Sequence, residues 1–262
     1  MSRDLRDRRA LITGASKGIG RATADRLAAA GVQLALVARG EAELVDACNQ
    51  IADTHGVEVI PIVADLAEPD APDRVVATAA EALGGLDILV NNAGRSPFGS
   101  LEVVSDDDWL TSIDLKLMGY VRCTRAAFAL MKGGGGVIVN VIGMAGRSAS
   151  PSYVLGSLNA ALLHFTKSVA ELGGTDGIRV MAVNPGLTTT DRMEDAIEVW
   201  STDAGMTNEQ FRKTYLEDKV PLGRFTAPED VAEAIAYLCS DAAAATTGSA
   251  IQLDGAATRG VF

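Results

Sequence analysis

The chain has 262 residues, 48% of them hydrophobic and 22% charged, with a formal net charge of −11. That length suits one large α/β domain or at most two small ones, and the acidic balance argues against general attraction to nucleic acid or an anionic membrane. No apolar run nears the roughly 20 residues of a membrane-spanning helix, and the charged start "MSRDLRDRRA" lacks the apolar centre of a secretory signal, so a cytoplasmic protein is expected.

In chain order, "RRALITGASKGIGRATADRLAAAG" runs from a strand (Ala10 to Thr13) through glycines into a helix ending at Gly31. "VQLALVAR" reads as the second strand, followed by a helix over about 41–55. "VEVIPIVADL" is the third strand, a helix over about 70–83 follows, and "LDILVNNAG" is the fourth strand. A helix over about 106–131, a strand at "GVIVNVIG", a helix after Tyr153 and a strand at "IRVMAVNPG" complete the alternation, and "AIQLDG" closes a seven-stranded sheet. Continuous apolar strands alternating with amphipathic helices predict a parallel sheet covered on both faces, a doubly wound α/β fold. Residues 187–224 break the rhythm and read as a segment lying over a site, with Trp200, Met206, Phe211 and Tyr215 available to line a pocket and Arg192, Glu194 and Asp195 beside them. No linker divides the chain, so a single domain over 1–262 is expected.

Cys48, Cys123 and Cys239 are far apart and odd in number, which predicts reduced, buried thiols rather than a disulfide framework. His55 and His164 stand apart from any carboxylate or cysteine cluster, so no metal site is expected.

The turn "TGASKGIG" places Gly14, Gly18 and Gly20 between the first strand and the first helix. Missing Cβ atoms let backbone amides approach a pyrophosphate, and the helix N-terminus favours negative charge. The same letters satisfy the G-x-S-x-G of a hydrolase nucleophile elbow. That reading fails because the first strand is too early for an elbow and His164 lies within an apolar helix pattern.

With "TGASKGIG" at 13–20, "ADL" at 64–66, "NNAG" at 91–94, "VNPGLTTT" at 183–190, "PLGRFTAPEDVAEAIAYLCSD" at 221–241 and "TGSAIQLDG" at 247–255, the chain resembles the short-chain dehydrogenase/reductase family almost end to end. The resemblance implies a Rossmann-like fold binding NAD(P)(H) at the strand ends, a small-molecule carbonyl or alcohol substrate, and a homo-oligomer, tetramer or dimer. By position it places Gly14, Ser16, Gly18, Ile19 and Gly20 around the cofactor phosphates, Asp65 and Leu66 at the adenine, and Asn92, Ala93 and Gly94 along the ribose. Thr188 and Thr190, after Pro185 and Gly186, fall at the nicotinamide or pyrophosphate. A carboxylate ending the second strand would hold a ribose 2′-hydroxyl, but Ala38 stands there, followed by Arg39. Arg39 with Lys17 favours the 2′-phosphate of NADP(H) over NAD(H).

The family works with Asn, Ser, Tyr and Lys, and this chain departs at three of the four. Lys116 stands at the Asn position and Gly143 at the Ser position. Four residues after Tyr153 comes Ser157, with Asn159 nearest the Lys slot. On a regular helix residues i and i+4 lie about 40° apart and i and i+6 about 240° apart, so Tyr153 and Asn159 cannot share one regular helical face. Either the chain is irregular around Gly156, or Tyr153 precedes a helix starting near Ser157, with Ser157 as its N-cap. Ser148, Ser150 and Ser152 are equal candidates to replace the serine. The expected enzyme uses Tyr153 as proton donor or acceptor and Lys116 as its electrostatic partner. The alternative is a dinucleotide-binding protein whose catalysis is impaired.

Overall fold

The computed structural model describes residues 5–260; residues 1–4 of the charged start, and 261–262, lie outside the described residues. Seven parallel strands form one sheet in the order β3-β2-β1-β4-β5-β6-β7. They are β1 Arg9–Thr13, β2 Gln33–Ala38, β3 Val59–Val63, β4 Ile88–Asn91, β5 Gly136–Val141, β6 Ile178–Pro185 and β7 Ala250–Leu253. Leu11 on β1 pairs in register with Ala35 on β2 and with Leu89 on β4. The strand order therefore reverses beside β1, and the crevice beyond the strand ends at such a reversal is where doubly wound sheets take ligands.

Neighbouring residues of each strand serve opposite faces. Ile12, Val90, Val139 and Met181 belong to the core beneath helices α1 (Gly18–Ala28), α2 (Glu41–His55) and the late helix Pro228–Cys239. Leu11, Leu89, Ile138 and Val180 belong to the opposite core, with Val75 and Val76 from α3 (Ala71–Leu83) and Ala170 from the helix Ser157–Gly173. Each such side chain is fully or almost fully buried, worth about 1.5–3 kcal/mol relative to exposure. This two-sided burial is why the strands read as unbroken apolar runs.

The expected helix over 106–131 is two helices, α4 (Asp106–Ser112) and α5 (Gly119–Met131), joined through a π-helical turn at Ile113–Met118. In that turn the Gly119 amide reaches back five residues to the Asp114 carbonyl. A π-turn rotates the residues within it relative to a regular helix, and Lys116 lies inside it. The start of α4 is set by a reciprocal cap: Asp108 N–H donates to Ser105 Oγ at 3.2 Å and Ser105 N–H donates to the Asp108 carboxylate at 3.0 Å.

Tyr153 sits before its helix. Val154–Gly156 form a 3-10 turn, and α6 (Ser157–Gly173) follows. The two alternatives left open by the Tyr153-to-Asn159 spacing occur together: the chain is irregular around Gly156, and Tyr153 precedes a helix that starts at Ser157. Ser157, however, already has helical backbone and makes no capping bond, so it is the first helical residue and not an N-cap. Asn140 on β5 accepts from Asn91 Nδ2 at 2.9 Å and donates to Thr166 Oγ at 2.9 Å, a buried link between β4, β5 and α6.

The segment 187–224 contains two helices, α7 (Asp191–Asp203) and α8 (Asn208–Lys219), and α9 (Pro228–Cys239) follows it. All three cysteines are free and buried, with burial pushing their thiols up to about 11 at Cys48 and about 12 at Cys123 and Cys239. Among the described residues no helix is long and apolar enough to cross a membrane.

Candidate active site

A cleft of about 1840 Å³ opens beyond the strand ends, and residues from the glycine turn to α8 line it. At one end stand Gly14, Ser16, Lys17, Gly18 and Ile19. Gly20 does not line the cleft; it lies beneath the turn, where an added Cβ would fall 2.2 Å from the Gly14 carbonyl oxygen and 2.6 Å from Asn92 Nδ2. Asn92 spends its amide on this packing, donating to the carbonyls of Thr13 at 3.0 Å and Gly14 at 2.9 Å. Gly20 and the Asn92 side chain thus shape the turn from below.

Ala38, Arg39 and Leu66 line the cleft near the ends of β2 and β3. Asp65 does not: its carboxylate accepts from the Ala67 amide at 3.0 Å and lies 3.6 Å from Arg39. Lys17 lies 3.2 Å from Asp191. Both cations are largely exposed and their pairs are of the weak surface kind, so either is free to turn to another anion. Asn92, Ala93, Gly94, Pro185, Gly186, Thr188 and Thr190 follow along the cleft.

At the far end the π-turn aims Lys116 inward. Its side chain is 9% exposed, its stem lies against Gly94, and Nζ donates to the Ile142 carbonyl at 3.0 Å. Burial, and then the positive charge of Arg192, push this ammonium down to about 7. The hydrogen-bonded cation at Tyr153 is a different residue: Arg192 Nη2 donates to the Tyr153 hydroxyl at 3.4 Å and to the Ser96 carbonyl at 2.7 Å. Arg192 also lies over the Phe98 ring, 4.8 Å from its centroid.

Asn159 on α6 reaches the same end of the cleft, nearly fully buried, and its Oδ1 has no hydrogen-bond partner among the described residues. Beside it Gly143 has φ of +118°, and a Cβ there would stand 3.2 Å from Asn159 Nδ2. The serine of the family pattern is therefore not a side chain that can simply be put back. Gly143→Ser is expected to lower Tm by roughly 3–8 °C, because side-chain-bearing residues adopt that backbone only under strain, and to leave carbonyl reduction no faster; a thermal melt and a rate assay check both. Ser148, Ser150 and Ser152 all line the cleft, with Ser148 half-buried and the other two exposed.

An aromatic run forms the outer wall. Phe98 lies 4.9 Å from both Tyr153 and Trp200, and Trp200, Phe211, Tyr215 and Phe225 continue at about 6 Å intervals between centroids. Met206 does not join it: it stands 40% exposed in the turn between α7 and α8, outside the cleft lining. Phe98 and the contact of Arg192 with Tyr153 carry no sequence signal, because they join segments 39 and 94 residues apart that only the fold brings together.

Comparison with known proteins identifies the family. A family model described as Enoyl-(Acyl carrier protein) reductase matches residues 14–258. The 3-oxoacyl-[acyl-carrier-protein] reductase of Synechocystis sp. is 35% identical over 249 residues, 94% of this chain and 95% of its own. The solved structure of L-sorbose reductase from Gluconobacter frateurii, complexed with NADPH and L-sorbose, superposes with a TM-score of 0.93 at 31% identity, over 100% of each chain. A short chain dehydrogenase from Burkholderia cenocepacia in complex with NADP gives a TM-score of 0.85 at 30% identity, over 97% of this chain and 98% of its own. With the match running through the glycine turn, the sheet and the cleft-lining helices, the chain belongs to the short-chain dehydrogenase/reductase family, oxidoreductases that act on alcohol or carbonyl groups with NAD(P).

Proposed function

We propose that this chain interconverts a small carbonyl compound and its alcohol with NADP(H), using Lys116 and Tyr153 to manage the proton. The carrying observation is Lys116 itself, a buried lysine aimed into the cleft and held down to about 7. A proton donor works best when its pKa lies near the working pH.

The residues present fit the dinucleotide. Gly14 packs so closely that a Cβ would stand 2.9 Å from Ala93 Cα, which brings the turn's backbone within reach of phosphates. Asn159 Oδ1 is a buried acceptor without a donor among the described residues, and a ribose hydroxyl would supply one. We assign Gly14, Ser16, Gly18 and Ile19 to the phosphates, Leu66 to the adenine, and Ala93, Gly94, Pro185, Gly186, Thr188 and Thr190 to the ribose and nicotinamide side. Gly20 and Asp65 support these contacts from outside the cleft, Asp65 by holding Arg39, and Asn92, at the cleft itself, fixes the turn through its side-chain amide.

When bound, the nicotinamide supplies or accepts the hydride. The chain handles the oxygen. Tyr153 accepts from Arg192, which leaves its own proton to donate to the substrate oxygen, and charged Lys116 then restores the tyrosine's proton, the single proton that reduction consumes. In the oxidative direction neutral Lys116 takes that proton back.

For the cofactor, Arg39 and Lys17 favour a 2′-phosphate, and the relatives solved with NADPH and NADP point the same way. Ala38→Asp with Arg39→Leu is expected to raise KM for NADPH by roughly 10–100-fold while lowering KM for NADH, since a charge-assisted phosphate contact is worth about 1.5–3 kcal/mol. Unchanged cofactor preference in steady-state kinetics would remove Arg39 from the assignment.

The function is tested by following NADPH consumption with a panel of aldehydes and ketones while measuring NADPH binding in the same samples. Consumption that disappears in Lys116→Met supports the reading; consumption that survives it intact removes Lys116 from the proton path. The single-domain organisation, the segment 187–224 as cover of the site, the dimer or tetramer and the cytoplasmic location form the remainder of the proposal, and sedimentation of the purified protein checks the assembly.

A further inference from the structure

At the substrate end of the cleft two cations, Lys116 and Arg192, are not paired with any of the carboxylates that line it, Asp191, Asp195 and Asp203. Lys116 Nζ is bonded to a backbone carbonyl, and Arg192 to a carbonyl and a hydroxyl. Among the described residues no carboxylate lies within ion-pair distance of either; nearby Asp191 is paired with Lys17 and Asp195 with Arg95. The two charges face the same space and repel, Arg192 being the one charged neighbour that depresses Lys116. Like charge concentrated around a buried group is unfavourable, and it is relieved either by loss of the Lys116 proton or by entry of an anion.

The cofactor's phosphates are not that anion. Successive residues of a helix point about 100° apart, and α7 uses the difference: Asp191 reaches Lys17 in the glycine turn, whereas Arg192 turns the other way, to Ser96, Phe98 and Tyr153. Its guanidinium is fixed there through Nη2 and the Phe98 ring, and its Nε and Nη1 donate to nothing among the described residues.

We propose that the substrate of this enzyme is an oxo acid, with the corresponding hydroxy acid as product, and that Arg192 receives its carboxylate while the carbonyl oxygen lies toward Tyr153 and Lys116. The assignment rests on the function proposed above and narrows it to one chemical class. A planar guanidinium with unused N–H groups matches a carboxylate, and one such group offsets one positive charge in the cleft. Phe98 and Trp200 leave apolar surface for the carbon chain next to it.

The test uses matched pairs: 3-oxobutanoate and 4-oxopentanoate, each against its methyl ester, with dihydroxyacetone phosphate against dihydroxyacetone as the phosphate arm. NADPH binding is checked first in the same samples. Turnover is followed by NADPH consumption, and calorimetry of the NADP-saturated protein measures affinity for each member whether or not it turns over. The expected result is that acids exceed esters by at least about tenfold in kcat/KM or in affinity, as one charge-assisted contact implies. Arg192→Met brings the acid-to-ester ratio toward one, and Arg192→Lys restores part of it. Equal use or equal binding of acid and ester overturns the assignment, as does a preference that survives Arg192→Met. A preference for the phosphate ester over both acids, lost in Arg192→Met, overturns the carboxylate in favour of a phosphate. Failure to bind NADPH is the separate outcome that overturns the underlying function, and this inference with it.

Discussion

Replacing Lys116 by methionine lowers kcat for carbonyl reduction by roughly 10²–10⁴-fold, the span expected when a positioned proton donor is removed. Methionine keeps the length of the stem lying against Gly94 and deletes only the ammonium. The wild-type pH profile carries the same signature. Reduction needs the protonated lysine, so kcat/KM in that direction falls as pH rises through about 7, while the oxidative rate climbs over the same interval. Arg192 and Tyr153 face this group across the cleft, and Tyr120 packs nearby with its hydroxyl committed to the Val141 carbonyl at 2.8 Å. A profile that is flat between pH 6 and 8 in both directions, with Lys116→Met as active as wild type, would remove the lysine from the reaction.

The same substitution is expected to stabilise the fold, with a definite pH dependence. Burial depresses the folded-state value from 10.5 to about 7, so between those limits the unfolded chain binds the proton and the folded chain does not. Wild-type stability from this group is therefore lowest below about 7, rises through the interval and is fully recovered above the unfolded value. Lys116→Met should raise Tm by about 5 °C near pH 6.5 and by much less near pH 9.5, as removal of a few kcal/mol of desolvation penalty implies. Thermal melts at the two pH values read the difference directly. A buried group that destabilises the protein while serving the reaction is a common form of trade between stability and activity.

Gly20→Ala is expected to weaken NADPH binding by at least about tenfold and to lower Tm by roughly 3–8 °C, the effects of forcing an extra methyl into a packed site. The methyl would fall 2.2 Å from the Gly14 carbonyl oxygen and 2.6 Å from Asn92 Nδ2. Neither neighbour can yield alone, because Asn92 Nδ2 and the Gly14 carbonyl are bonded to each other at 2.9 Å. The turn must move as a unit, away from the shape in which Gly14 lies on Ala93. Fluorescence titration with NADPH and a thermal melt test this; wild-type affinity in Gly20→Ala would show that the turn does not need this packing to bind.

The sheet was legible in the sequence because strands buried on both faces leave apolar runs, and residues 10–12, 88–90 and 180–183 do so plainly. The glycine turn was legible because its chemistry is local: strand, permissive backbone and helix start follow one another within a dozen residues. The family resemblance put Asn159 at the lysine slot, its spacing from Tyr153 ruled out a shared face of one regular helix, and the 3-10 turn at Val154–Gly156 is the physical form of that conflict. The π-turn at Ile113–Met118 was not legible, because hydrophobic periodicity continues across one extra residue without a visible break.

By itself, then, the sequence determined the doubly wound fold, the glycine turn between β1 and α1 and the departure at Lys116, Gly143 and Asn159, all written in patterns spanning a few turns of chain. Which cation touches Tyr153 was decided only by tertiary structure. Arg192 reaches that hydroxyl because α7 crosses the cleft opposite Phe98 and Ser96, while Lys116 is turned by the π-bend to the Ile142 carbonyl. Contacts between side chains of distant segments depend on how helices sit on the sheet, and the packing that sets those positions is summed over the whole core rather than carried by any local pattern.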